Sequence, residues 1–450
     1  MYLGILHISE KTKCYIEIVK STIVDIVESS QLPYYQKLNV LELAVDSKLF
    51  RAKEFEFSLP ILTSWIDFSD SGNYFVNQSI LNLAIKISDK LKKPVNEYYE
   101  KLAINQDSII GQHLEETDFI RFTSFGEKAK YYKKAGNIEE YEKTLIEYTR
   151  LKTKFELALI EVRLPIKETE LVHDYLNRKS ELLLQMPIET ILHYFSTSND
   201  LLIKTDVLDK MTEEGFKHSF YQFTSVNVFD INSNHKKLTD EEAKANERFK
   251  AYALHFNLFV FPLFIKTTAL GIINGKINYH SVFKFLNDNS WYGQKFDRGN
   301  VERDLDSKSN WLSLFAPGLY DFLSQLEWAF IMNNNNVPNF ILCIDSLTLK
   351  FEGAIRDFIR LIGGTSTIEK RGELKEQLLE ELLQNPEIIK HFTKDDITLF
   401  KYVFTNSGWN IRNNVAHCFY PFSNYSFDKA TLVFLCILKL GKYKLTIKTE

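Results

Sequence analysis

Residues 126–152 read GEKAKYYKKAGNIEEYEKTLIEYTRLK, and the spacing within them decides the fold class. Ala129, Tyr132, Tyr141, Leu145 and Tyr148 recur at helical intervals among lysines and glutamates, the pattern of helices with one apolar face. Ala135-Gly136-Asn137 breaks the pattern in the middle, so the stretch predicts helix, tight turn, helix. Residues 35–48 and 78–104 carry apolar positions at the same spacing. The 450-residue chain has 17 glycines and 10 prolines, fewer than a β protein with many tight turns needs. The expected class is therefore all-α: an N-terminal helical-hairpin region followed by a C-terminal helical bundle. Tyr15-Ile16-Glu17-Ile18-Val19 is β-prone and leaves room for one short β element near the N-terminus.

Working outward, the 126–152 stretch resembles one unit of a tetratricopeptide-like hairpin, with no second copy at a fixed period. A chain of this length suits two or three cores. Polar segments at 232–247 and 296–310, and Asn333–Asn336 ahead of Val337-Pro338, are the soft places. They suggest a helical region over 1–110, a helical-hairpin middle over 111–330 and a bundle over 331–450. Within the bundle, Ile344, Leu347, Phe351, Ile355, Phe358, Ile359 and Ile362 form one apolar stripe that Gly363-Gly364 stops. A highly charged second helix is expected over 368–385. Thr393 and Asp396 read as a capping box opening a third helix through Phe404. A short helix then carries Arg412 to His417, Pro421 breaks it, and Asp428–Leu440 forms the last helix before Gly441.

A 45% share of hydrophobic residues excludes global disorder. A net charge of −4 argues against non-specific coating of long nucleic acid, so any nucleic-acid contact must come from a local patch. The four cysteines, Cys14, Cys343, Cys418 and Cys436, form no CxxC pair and no zinc-ligand spacing; no metal and no cofactor is expected. The most apolar run, Phe256–Ile265, contains Asn257 and Pro262 and is too short to span a bilayer, so it reads as a core helix. With no signal peptide in Met1 to His7, the reading is a cytoplasmic protein without a membrane partner. Phosphate-binding glycine loops, the nucleophile elbow and HExxH are absent, which excludes the usual NTPase and metalloprotease chemistries.

The chemistry-bearing string is Asn410-Ile411-Arg412-Asn413-Asn414-Val415-Ala416-His417. On a helix, Asn413 and His417 share a face, and the long Arg412 side chain can swing toward them. The set suits cleavage of RNA by its own 2′-hydroxyl. His417 would take the hydroxyl proton, Arg412 would clamp the phosphate, and Asn413 would orient one of them. Arg248–His255 fits the same arginine-to-histidine spacing but has Phe249 after the arginine and no amide, and reads as an ordinary amphipathic helix.

The string resembles the R-x(4–6)-H motif of the HEPN superfamily, with the polar residue after arginine that its ribonucleases favour. Residues of about 310–420 more closely resemble the bacterial domain-of-unknown-function family four-two-zero-nine. The resemblance rests on Leu314-Phe315-Ala316-Pro317-Gly318-Leu319, Asp345 to Gly353 with Arg356, and Asn410 to His417. That family usually has glycine after the histidine, where this chain has Cys418. The resemblance implies a HEPN-like bundle that dimerises with two motifs facing across a shared cleft. It implies a metal-independent endoribonuclease of bacterial defence or stress response, its catalytic residues Arg412, His417 and Asn413 and its binding residues Asn414, Glu352 and Arg356. An RNA substrate and a regulatory protein or phage trigger would be its partners. The alternative is a non-catalytic HEPN-like module that binds RNA or nucleotide, or a dimerising adaptor.

Each residue also has a purely structural reading. His417 can be a structural histidine, with Asn413 and Asn414 as caps. Glu352 and Arg356, four apart, can be a solvated ion pair. Lys128, Lys130, Lys133 and Lys134 alternate with Tyr131 and Tyr132, which suits RNA stacking but equally a solvated face over a tyrosine core.

Overall fold

The computed structural model describes residues 2–154, 165–198, 200–217, 226–232, 234–297, 308–332 and 339–445. It is all-α, with three two-stranded ribbons among the described residues. The chain forms two compact units that divide near residue 160, with Asn232–His235 belonging to the first.

The first unit runs α1 (Tyr2–Thr12), α2 (Ile16–Glu28), α3 (Tyr34–Asp46), α4 (Ser58–Ser64), α5 (Tyr74–Leu91), α6 (Asn96–Gln112), α7 (Phe119–Ala135) and α8 (Ile138–Lys152). The helix, turn, helix expected over 126–152 is present. Gly136 turns with φ 80°, and the Asn137 side chain caps α8 by accepting from the Glu140 N–H. Phe122 stacks on Tyr148 across the hairpin, ring centroids 4.9 Å apart. One expectation fails here. Tyr15–Val19 is not a strand: Ile16–Val19 is the first turn of α2, because Ile23 and Val27 need a helical face to reach the core. The helical spacing over 78–104 is present as two helices, α5 and α6, because Lys92 turns left-handed (φ 56°) just before Pro94 and ends α5.

The second unit begins with α9 (Ile166–Gln185), α10 (Ile188–Thr197) and α11 (Thr205–Lys217). The short strands β1 (Asn227–Phe229) and β2 (His235–Lys237) precede α12 (Asp240–His255), a π-helical turn (Phe256–Val260) and α13 (Phe261–Ile273). Then follow α14 (Tyr279–Asn289), β3 (Phe296–Asp297), β4 (Lys308–Ser309), α15 (Trp311–Phe330) and α16 (Ile341–Leu361). The Phe256–Ile265 run is thus part of one helix from Asp240 to Ile273, 34 residues, long and apolar enough by length and composition to cross a membrane; half of its apolar window is buried in the core. Asn333–Asn336 lies outside the described residues.

Residues 368–385 are not a charged helix but an antiparallel hairpin, β5 (Thr367–Lys370) and β6 (Glu373–Glu376), followed by the short α17 (Leu379–Leu382). Arg371 and Gly372 both have positive φ, 55° and 79°, the two-residue turn that matches strand twist. The rest is α18 (Pro386–His391), α19 (Lys394–Phe404), α20 (Ile411–Ala416) and α21 (Phe427–Gly441). Thr393 does cap α19, accepting from the Asp396 N–H. The Asp396 carboxylate instead meets Lys442 and the Tyr443 hydroxyl.

The bundle closes around α21, whose residues from Lys429 to Gly441 are all buried. It packs against α10, α14, α16 and α19, and the Tyr292 hydroxyl donates to its Ile437 carbonyl at 2.8 Å. One hydrophobic cluster runs from Leu176 to Leu440. The boundary placed at 330 therefore falls inside a shared core, and the one placed at 110 falls within α6. Gly318 and Gly353 let α15 and α16 approach: a Cβ on Gly318 would stand 2.7 Å from the Leu347 side chain, and one on Gly353 2.8 Å from Trp311.

Candidate functional site

The site is built where α20 lies on α16. Ahead of α20, Gly408 sits so close to Tyr402 that a Cβ would fall 2.1 Å from its carbonyl oxygen. Asn410 takes a left-handed conformation, φ 51°, and its Oδ1 accepts from Asn413 Nδ2 at 3.0 Å. Ile411 and Val415, four apart and buried, anchor the six-residue helix. Asn414 also turns inward, its amide donating to the Trp409 carbonyl at 3.4 Å.

Arg412 reaches across to α16. Its Nε donates to Glu352 Oε2 at 2.6 Å, its Nη2 to Glu352 Oε1 at 3.5 Å, and its Nη1 to Asn413 Oδ1 at 3.1 Å. Glu352 is buried and also receives Arg356 Nη2 at 2.8 Å. Glu352 and Arg356 are thus no solvated surface pair: one buried carboxylate stands between two guanidiniums. Arg356 in turn donates to the Gln377 carbonyl at 3.0 Å and lies 3.4 Å from Glu376. Glu376 also pairs with Arg360 at 3.0 Å. Burial works to raise the Glu376 carboxyl, but the Ser366 hydroxyl and the Arg360 and Arg356 charges hold it below its ordinary value.

His417 stands apart. It is the C-cap residue of α20, exposed, with its ring stacked 5.4 Å from Phe419. It makes no hydrogen bond to Arg412, Asn413, Glu352 or Arg356. Cys418 is left-handed, φ 54°, and exposed, the backbone conformation in which glycine is the easiest residue. The structure therefore joins Arg412, Asn413, Glu352 and Arg356 in one network, turns Asn414 into the core, and leaves His417 at the open end of the same helix.

A guanidinium has five N–H donors, and Arg412 engages three of them, so two can still meet an anion. Sequence reasoning missed Glu376, because it lay inside the supposed 368–385 helix; Arg371-Gly372 was the available turn signal. It also missed Phe419, which flanks His417, and gave no role to Asn410, which positions Asn413. The lysines of α7 are engaged on its surface: Lys128 with Asp107, Lys130 with Glu127, Lys133 over Tyr141 and Lys134 over Tyr99, above a buried Tyr132. Arg248 pairs with Asp209 at 2.6 Å. Among the described residues no group of three or more histidines, cysteines or carboxylates could hold a metal ion. No family model, curated protein or solved structure matches the chain.

Proposed function

We propose that the second unit is a HEPN-type, metal-independent endoribonuclease. It acts in the cytoplasm as a homodimer through its C-terminal bundle, in bacterial defence or stress response, under a regulatory protein or phage trigger. The observation that supports this most is the network that joins Arg412 and Asn413 of α20 to Glu352 and Arg356 of α16, with an exposed His417 capping the C-terminal end of α20. In this reading His417 removes the 2′-hydroxyl proton of a bound RNA. The 2′-oxygen attacks the adjacent phosphorus, the two spare N–H groups of Arg412 stabilise the added charge, and the 5′-oxygen leaves with a proton. The products carry 2′,3′-cyclic phosphate and 5′-hydroxyl ends. Glu352 and Asn413 hold the Arg412 fork in place, as carboxylates do for phosphate-binding arginines. A second copy would supply a facing Arg412 and His417 and the missing wall of the cleft.

The test is cleavage of RNA by the full chain. His417→Ala and Arg412→Ala should each reduce the rate by roughly 10²-fold or more, and Asn413→Ala by less. Arg248→Ala should cut normally, and activity should persist in EDTA. A dependence on divalent metal, or normal cutting by His417→Ala, would refute the mechanism. One observation favours a second reading, a non-catalytic RNA- or nucleotide-binding or dimerising adaptor: the 2.6 Å contact to Glu352 already offsets the Arg412 charge. Binding of RNA that Arg412→Ala weakens, with no cleavage by the wild type, would support that reading instead.

A further inference from the structure

A separate cavity of about 190 Å³ opens in the second unit, lined by Tyr175, Tyr194, Asp200, His255, Phe259 and Leu263, with Leu201 and Val260 completing it. Its construction begins with Pro262, which has no N–H to give to the helix that contains it. The helix loosens just before the proline into the π-helical turn Phe256–Val260, where the Phe261 N–H donates five residues back to the Phe256 carbonyl. That turn sets His255 and Phe259 side by side, ring centroids 5.3 Å apart. Tyr175 of α9 meets Phe259 at 6.3 Å with an interplanar angle of 76°. Tyr194 of α10 and Asp200 beyond it complete the wall.

Two features define what such a cavity takes. Tyr175 and Phe259 stand nearly at right angles and Tyr194 also lines the cavity, so three aromatic rings, whose faces are electron-rich, border one small space. The charged lining group is a carboxylate, Asp200, which makes no ion pair among the described residues. Lys179 Nζ stands 5.0 Å over the Tyr194 ring, so one face of that ring already holds an ammonium and the other is the one left for a ligand. Burial pushes the His255 imidazole below its ordinary value, so at neutral pH it contributes an uncharged ring. No amide side chain lines the cavity to read a base edge, and no cationic side chain lines it to meet a phosphate.

We infer that this cavity binds a small organic cation, a methylated or quaternary ammonium, held by the Tyr175, Phe259 and Tyr194 rings against the Asp200 carboxylate. The site is independent of the RNA-cleavage reading. It would give the second unit a small-molecule input on α9, α10 and the Asp240–Ile273 helix, remote in sequence from Arg412.

Isothermal titration of the full chain with tetramethylammonium and with choline tests it, alongside the uncharged isostere 3,3-dimethylbutanol at matched ionic strength. Both cations should bind saturably and the isostere at least about ten-fold more weakly. Phe259→Leu and Tyr175→Leu should each weaken cation binding by about 5- to 30-fold, the range for a partly to fully desolvated ring. Asp200→Asn should weaken it too, and Tyr141→Leu, at a partly buried ring on α8 in the first unit, should not. Tyr175 is 47% exposed, so its replacement leaves folding intact, which circular dichroism would check. Absence of cation binding, equal binding of the isostere, or unchanged binding by the Tyr175 and Phe259 variants would overturn the assignment.

Discussion

Lys439 shows what one residue can cost. It lies on α21 at 1% exposure, its ammonium 3.3 Å from the Ser198 carbonyl. Burial brings its pKa down to about 8 from the ordinary 10.5; nearby Asp396 only partly opposes this. Between pH 8 and 10.5 the unfolded chain holds this proton and the folded chain does not, so this residue makes stability rise with pH across that window. Below pH 8 both states are protonated and the full penalty applies. Lys439→Met should therefore stabilise the fold at pH 7, by up to about 3 kcal/mol, and flatten the rise between pH 8 and 10.5. Chemical denaturation of both proteins at a series of pH values measures this. Glu352 is the opposite case. Glu352→Ala would leave Arg412 and Arg356 facing one another without their shared carboxylate. The expected loss is about 2–3 kcal/mol, below the fully buried range because both guanidiniums are partly solvated. A denaturation midpoint equal to that of the wild type would show that water, not Glu352, balances the two charges.

At the scale of elements, helices that bury one face were legible in the sequence and the hairpin was not. Ile344 to Ile359 needed only a period, and α16 buries that stripe. Thr367–Glu376 carries alternating polar residues with little apolar content, so periodicity gives no signal there and its charge density reads as helix. Its structure is fixed by the two-residue turn and by Arg356 and Arg360 reaching Glu376. The candidate site was legible only in part for a related reason. The Arg412 string is local, but its main partner, Glu352, lies 60 residues away on another helix, and no spacing rule connects them. The contact between α15 and α16 yields its own expectation. Gly318→Val would push a branched side chain into Leu347, so we expect a loss of about 1–3 kcal/mol from overpacking. Pairing it with Leu347→Ala should recover part of that loss, since the truncation makes room, and a double-mutant cycle would read the coupling.

Across the whole molecule, the cores decide what can fold alone. The Leu176–Leu440 cluster contains no residue of the first unit, and the clusters of the first unit contain none of the second. A fragment of residues 161–450 should therefore unfold as one cooperative transition by circular dichroism. A fragment of residues 331–450 should not, because α21 would lose α10 and α14 and expose an apolar surface. Cooperative unfolding of the shorter fragment would show that the bundle carries its own core after all.

The burial of α21 on every side also sets an order of events during synthesis. About 275 residues separate the start of α9 from the end of α21, and the helix that fills the middle of the unit is the last of its elements to be made. At ~5–20 residues per second, α9 emerges from the ribosome roughly 14–55 s before its core can close. From its own synthesis until α21 is made, each of α10, α14, α16 and α19 lacks the helix that covers it, which leaves apolar surface open to the chaperones that bind nascent chains.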